Sequence, residues 1–294
     1  MRTAKNLLSR GRALVVAVIA IGLLAAAPAA QAAPKRIAAL TPFSANTLAG
    51  LGVLPVAIGE TPDGSERLAS NLRDVPRLTL SHPNGPNMEE LALRNPKLVF
   101  SSPTWAKGAT TMRDLGMKVV NADPANVAAA YATTRMIGRA VGMRASGSAL
   151  AARLQRQVKS ATRGIRKRPR TLVVLGVGRT PFVMLPNSWG GSIVKKAGAR
   201  LITGGVESNK SGFVRISDEK IFLADPDVII AIPHANSDDI PAVKKFLRNS
   251  PAWKDSIAVR KGRLYVTGGS KLLQANTDIA KTIDLVRTKY LLNK

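Results

Sequence analysis

The feature that most constrains this chain is an alternation of short apolar runs with helical runs, carried through twice. In the first series, Arg36 to Leu40 (RIAAL) is brief and apolar, and Ser44 to Leu51 reads as a helix with Ser44 as its N-cap. Pro55 to Gly59, Arg77 to Leu80, Leu98 to Ser101 and Lys118 to Asn121 read as strands. Asn87 to Arg94, opened by Asn87, and Ala109 to Leu115 read as helices. The second series begins with strands at Arg170 to Val177 and Pro181 to Leu185, then a helix from Trp189 to Ala197 closed by Gly198. A helix capped by Ser217 runs to Ala224. Asp227 to Ile232 (DVIIAI) is apolar enough for the centre of a sheet, and Asp239 to Arg248 and Asp278 to Tyr290 are helical. Alternation of this kind predicts βαβ units and largely parallel sheets.

Between the two series lies Ala145 to Arg166, where Leu150, Leu154 and Val158 recur at i, i+4 and i+8 with charge on the other face. An amphipathic helix of that length spans about 30 Å and has no strand partner of its own. The predicted architecture is α/β, two lobes joined by one long linking helix, with lobes at 33–144 and 167–294 and the linker at 145–166.

Residues 1–32 stand apart. Arg2, Lys5, Arg10 and Arg12 lead an apolar core from Ala13 to Ala27, and the segment ends in Ala30-Gln31-Ala32. This is the pattern of a cleavable secretory signal, and the apolar run is shorter than the roughly 20 residues of a membrane span. The chain has no cysteine, which excludes disulfides, thiolate metal sites, a cysteine nucleophile and a lipid-modified cysteine. The expected product is a soluble, unanchored monomer in the Gram-negative periplasm.

Removing the signal takes away four positive charges, so the net charge falls from +26 to +22. Such a balance suits nucleic acid, an anionic membrane surface or an anionic ligand. The basic residues are dispersed apart from Arg163 to Arg170 (RGIRKRPR), aromatics make up only 4%, and no nucleic-acid-binding motif is present. A solvated basic surface is the reading taken, with a secreted polyanion-binding protein as the distant alternative. No P-loop, G-x-S-x-G or H-E-x-x-H pattern occurs, and Gly176-Val177-Gly178 lacks the third glycine of a dinucleotide fingerprint. No enzyme activity is expected.

Several segments together resemble a known family: PKRIAALTPFSANTLAGLGVLPVAIGE, PNMEELALRNPKLVFSS, LVVLGVG, SWGGSIVKKAGA, ISDEKIFLADPDVIIAIPH and SPAWKDSIAVRKGRLYV. In this order and spacing they are similar to the substrate-binding proteins of iron, siderophore, heme and cobalamin ABC importers. The resemblance covers nearly all of the chain after the signal. It implies two Rossmann-like lobes, a rigid linking helix, a ligand cleft with small hinge motion, no intrinsic cofactor, and an ABC permease as partner. The heme-binding branch is the most similar. There, a strand ending in Leu-Pro-His supplies an axial iron ligand, and Ile232-Pro233-His234 matches it. The opposite-lobe ligand position of that branch falls on Asn84, with His82 two residues earlier in the same loop. Heme, a ferric siderophore and cobalamin all remain open as cargo.

The chemistry of the residues points the same way. His82 and His234 are the chain's two histidines, and each follows a predicted strand. Ligands bind outside the carboxyl ends of strands in open parallel sheets, and imidazole is a good iron ligand. Both are therefore candidate iron ligands. Phe43, Trp105, Phe182 and Trp189 fall beside predicted strand ends or turns, where flat apolar walls would suit a porphyrin or a catecholate. Arg179 and Lys271 lie in loops after strands and are candidates for anionic groups on the ligand. Glu89 and Glu219 lie in the first turns of their helices, where the helix dipole favours acidic side chains. The family resemblance adds that one glutamate per lobe docks on permease arginines.

Overall fold

The computed structural model describes residues 36–292, apart from 63, 167–168, 177–180 and 234–238. The first sheet contains β1 (Ile37–Ala39), β2 (Ala57–Glu60), β3 (Arg77–Ser81), β4 (Gly85–Pro86), β5 (Leu98–Ser101) and β6 (Lys118–Asn121). Its order is β4-β3-β2-β1-β5-β6, parallel throughout except for β4. The second contains β7 (Arg170–Leu175), β8 (Phe182–Met184), β9 (Arg200–Leu201), β10 (Phe213–Arg215), β11 (Val228–Ile232) and β12 (Leu264–Val266). Its order is β10-β8-β7-β11-β12, with β9 also paired to β7. β8 runs against both its neighbours. Every residue of β11 is buried between β7 and β12, as its unbroken apolar sequence requires.

The helices are α1 (Pro42–Gly50), α2 (Met88–Leu93), α3 (Ala106–Asp114), α4 (Val127–Ala140), α5 (Arg144–Ala161), α6 (Trp189–Lys196), α7 (Asp218–Ala224), α8 (Ile240–Asn249), α9 (Pro251–Lys254), α10 (Ile257–Arg260), α11 (Ser270–Leu273) and α12 (Ile279–Val286). Asn87, Ser188 and Ser217 cap α2, α6 and α7 through side chains that accept backbone N–H groups. Gly198, at φ 110°, follows the end of α6. Thr41 rather than Ser44 caps α1. Pro42 holds its φ near the helical value and starts the helix at once, while the Thr41 hydroxyl accepts the Ser44 N–H at 3.2 Å. After α12 the chain continues as a single wide turn at Arg287–Leu291 rather than as a longer regular helix.

The long helix between the sheets is α5, whose Leu150, Leu154 and Val158 are buried as the periodicity predicts. It does not stand alone. It packs against α4, which the sequence reading did not place, and Gly138 of α4 meets Gly147 of α5 at the contact. α12 packs on α5 as well.

The two sheets also share a module. Asn87 and Ser217, 130 positions apart, each cap a short helix that buries Leu91 or Ile221. Each helix ends in a left-handed non-glycine residue, Asn95 at φ 44° and Asp225 at φ 37°, followed by a proline and then a core strand, β5 or β11. Among the described residues no helix is long and apolar enough to cross a membrane.

Candidate functional site

The parallel strands of the first sheet end along one edge, and the segments leaving them line a cavity of about 210 Å³. Leu40, Thr41 and Pro42 follow β1, Thr61 and Glu66 follow β2, Ser102, Thr104 and Trp105 follow β5, and Asp123 follows β6. The second half of the chain closes the cavity with Leu273, Gln274 and Ala275. This is the strand-end position expected of a ligand site in an open α/β sheet.

Each wall has a local cause. Ser102 accepts the Thr104 N–H at 3.1 Å, and Pro103 begins the tight turn that carries Trp105 inward. Trp105 is 9% exposed, packs in the cluster with Leu40, Leu78 and Met112, and its indole N–H is buried without a hydrogen-bond partner. Gly85, at φ 86°, passes so close that a Cβ there would lie 3.4 Å from the Trp105 Cβ. Asp123 accepts the Ser102 hydroxyl at 2.7 Å. Burial of the Asp123 carboxyl raises its pKa above the usual carboxylate value, and the Ser102 hydrogen bond opposes that rise. Glu66 accepts from the Thr61 backbone at 2.6 Å with one carboxylate oxygen, while the other is buried without a hydrogen-bond partner.

Polar contacts cross from the first half of the chain to the second beside this cavity. Gln274 donates to Thr61 at 3.4 Å and to Glu66 at 3.5 Å. Asn276 accepts from Asn46 at 2.9 Å and donates to the Arg67 carbonyl at 2.8 Å, and Arg67 pairs with Asp278. At another crossing, Ser192 accepts the Val127 N–H at 3.1 Å, satisfying a donor at the start of α4 that has no partner within its own helix.

The structure sorts the residues singled out in the sequence. His82 is exposed in the β3–β4 turn, with its ring edge-on to Trp105, centroids 6.4 Å apart and planes at 66°. Trp105 lines the cavity, and His82 and Asn84 stand outside its lining. The Asn84 carbonyl packs on Gly108 of α3, where a Cβ would approach it to 1.8 Å. Phe43 is fully buried, because Pro42 and the Thr41 cap turn the first residues of α1 into the core. Trp189 is likewise a core residue, 6% exposed, and its indole donates to the Lys271 carbonyl at 3.3 Å. Lys271 is half-buried in α11, two residues before the cavity lining from the second half of the chain begins with Leu273. Phe182 is a half-buried strand residue facing Arg215 and Leu175 across the sheet. Glu89 and Glu219 are exposed in the first turns of α2 and α7. Arg179 and His234 lie outside the described residues. The sequence reading passed over Thr61, Glu66, Ser102, Asp123 and Gln274. Placement after a strand was a usable signal for Asp123 and Ser102, whereas nothing local marks Glu66 or Gln274.

The sequence matches the family model for periplasmic binding proteins over residues 37–270. The chain belongs to the periplasmic binding protein family. It is a binding protein of the transport class and not an enzyme. This binding protein is 22% identical to the high-affinity heme uptake system protein IsdE of Staphylococcus aureus over 220 residues, 73% of this chain and 74% of that protein. Its fold matches an ABC transporter substrate-binding protein from Listeria monocytogenes with a TM-score of 0.76 at 19% identity, covering 87% of this chain and 98% of that one. S. aureus IsdE complexed with heme gives a TM-score of 0.72 at 21% identity, covering 87% and 98%. S. aureus SirA complexed with staphyloferrin B gives 0.67 at 20%, covering 88% and 94%. At these identities the likeness is one of fold.

Proposed function

We propose that this binding protein is the periplasmic receptor of an ABC importer, that it captures an iron-containing ligand at the strand-end cavity, and that heme is that ligand. The observation that carries the reading is the pairing of the exposed His82 imidazole with the Trp105 indole beside the cavity. An imidazole coordinates heme iron and an indole face packs on a porphyrin. His234, the other histidine, supplies the iron ligand from the second lobe, in keeping with its place after the strand Val228–Ile232. IsdE, a heme uptake protein, is similar in sequence and in fold. The ligand passes to an inner-membrane permease that Glu89 and Glu219 engage. Residues 1–32 direct export and are removed, so that N-terminal sequencing of periplasmic protein begins at Ala33.

A ferric siderophore is the second reading, because Thr61, Glu66, Ser102, Thr104 and Gln274 give the cavity many hydrogen-bonding groups. Those groups match a polar chelate better than the face of a porphyrin.

Titration of the purified protein with hemin, followed at the Soret band, tests the proposal. Saturable binding with a ligand-specific spectrum is expected. His234→Ala shifts or abolishes the band, and His82→Ala shifts it where His82 is the second ligand. No saturable hemin binding, together with a visible ligand-to-metal band on adding a ferric siderophore, overturns heme in favour of the second reading.

A further inference from the structure

We propose that Leu93 and Leu223 are paired apolar anchors of the permease-docking surface, one in each lobe, each acting beside its glutamate. The inference rests on the reading that Glu89 and Glu219 face the permease and adds a second kind of contact to it.

The argument starts from the repeated module. In α2 and in α7, Leu91 and Ile221 turn into the core and are fully buried. Glu89 and Leu93, and likewise Glu219 and Leu223, are four residues apart and so lie on one helix face. Both faces are open to solvent. Leu93 is 83% exposed and Leu223 71%, and Phe222 beside it is 57% exposed. Single exposed leucines are common and call for no explanation. Here the same acidic-then-apolar pair stands at the same position of both modules, while the positions between them differ: Glu90 against Lys220, and Ala92 against Phe222.

Both helices also start on the ligand side. α7 follows β10, which runs parallel to β7, and α2 follows the hairpin at the carboxyl end of β3. The chain has 44 basic residues to 18 acidic, yet neither Glu89 nor Glu219 is in an ion pair among the described residues. The partner that fits is a protein surface carrying basic side chains opposite the glutamates and apolar sockets opposite the leucines. The charges would steer encounter and set orientation. The leucines would supply contact energy that salt does not screen.

The test compares binding of the full protein to right-side-out vesicles of the producing cell's inner membrane with binding to vesicles of its extracted lipids. Wild type is measured beside Leu93→Ser/Leu223→Ser and Glu89→Gln/Glu219→Gln, with thermal unfolding to show that each variant is folded. The leucine pair is expected to bind membranes about tenfold more weakly or worse, and to keep that deficit at high salt. The deficit of the glutamate pair fades as salt rises. Weak binding by the glutamate pair alone would leave the docking reading standing and refute the leucines. Full binding by both pairs would refute the docking reading itself. Equal binding of wild type to protein-free vesicles would assign the surface to lipid and overturn the proposal. So would a wild-type dimer in sedimentation that the leucine variant converts to monomer, because the occupant would then be a second copy.

Discussion

Gly138 of α4 and Gly147 of α5 meet backbone to backbone: a Cβ on Gly138 would lie 2.7 Å from the Gly147 Cα, and one on Gly147 would lie 2.8 Å from the Gly138 Cα. Neither neighbour is a side chain that can swing away, so an added methyl group must push the helices apart. Alanine gains about 1 kcal/mol over glycine in helix propensity, and overpacking costs typically 1–3 kcal/mol. The packing penalty wins. Gly138→Ala and Gly147→Ala should each lower the urea midpoint of unfolding, and the double variant should lose less than the two effects combined, because the first methyl already opens the contact. An unchanged midpoint for both single variants would show that the helices adjust freely.

The α4 side of that contact was passed over in the sequence although its buried positions recur at helical spacing. Its buried face carries Val127, Ala130, Thr134, Ile137 and Gly138. Gly138, with no side chain of its own, is what lets α5 approach closely. α5 itself was legible because its stripe is made of Leu150, Leu154 and Val158. The strands and the caps Asn87 and Ser217 were legible because each rests on local chemistry.

Asn46 joins three segments from a nearly buried position. Its amide donates to the Arg67 carbonyl at 2.7 Å and to Asn276 at 2.9 Å, and its oxygen accepts the Ala69 N–H at 2.7 Å. Asn46→Ala removes three hydrogen bonds, and although Ala69 is exposed enough for water to replace one of them, a hydrogen bond within the fold is worth about 0.5–1.5 kcal/mol net. The expected result is a loss of that size in denaturant unfolding. Asn276→Ala should lose a similar amount, with the pair less than additive because they share a bond.

Asp123 should leave a mark on the pH profile of stability. Its folded-state pKa is raised, chiefly by burial, so the native state holds the proton more tightly than the unfolded chain. Stability from this group therefore falls as pH rises from the unfolded carboxylate value through the raised folded value, and the penalty is absent below that window. Asp123→Asn can still accept the Ser102 hydroxyl and does not ionise. Melting temperatures from acid to neutral pH should decline less for the variant than for wild type across that window. Parallel curves would show that Asp123 does not titrate differently on folding.

The site was only half legible, for a physical reason. Placement beside a predicted strand or turn brought forward His82 and Trp105, which the structure sets together, but it also brought forward Phe43 and Trp189, which are core. An aromatic residue just after a strand or turn can begin a helix, and the first turn of a helix can face either way. Pro42 and Ser188 start helices whose first aromatic side chains pack inward. Glu66 and Gln274 meet across 208 positions of sequence, and no local pattern encodes such a meeting.

Trp105 separates a structural role from a binding role. Its ring fills the cluster with Leu40, Leu78 and Met112 while also lining the cavity, and its N–H is buried without a partner. Trp105→Ala opens a hole in that cluster and should cost about 3–5 kcal/mol. A loss of ligand binding in that variant would therefore say little about contact with the ligand. Trp105→Phe keeps most of the apolar surface and removes the unsatisfied donor. Its stability should stay within about 1 kcal/mol of wild type, because the lost ring area and the relieved donor act in opposite directions. With the fold intact, hemin affinity reads the indole directly. A Phe variant that binds hemin as wild type does would mean that the ligand does not need the indole N–H. A Phe variant that is stable yet binds at least several-fold more weakly would mean that the unpartnered N–H is held for the ligand.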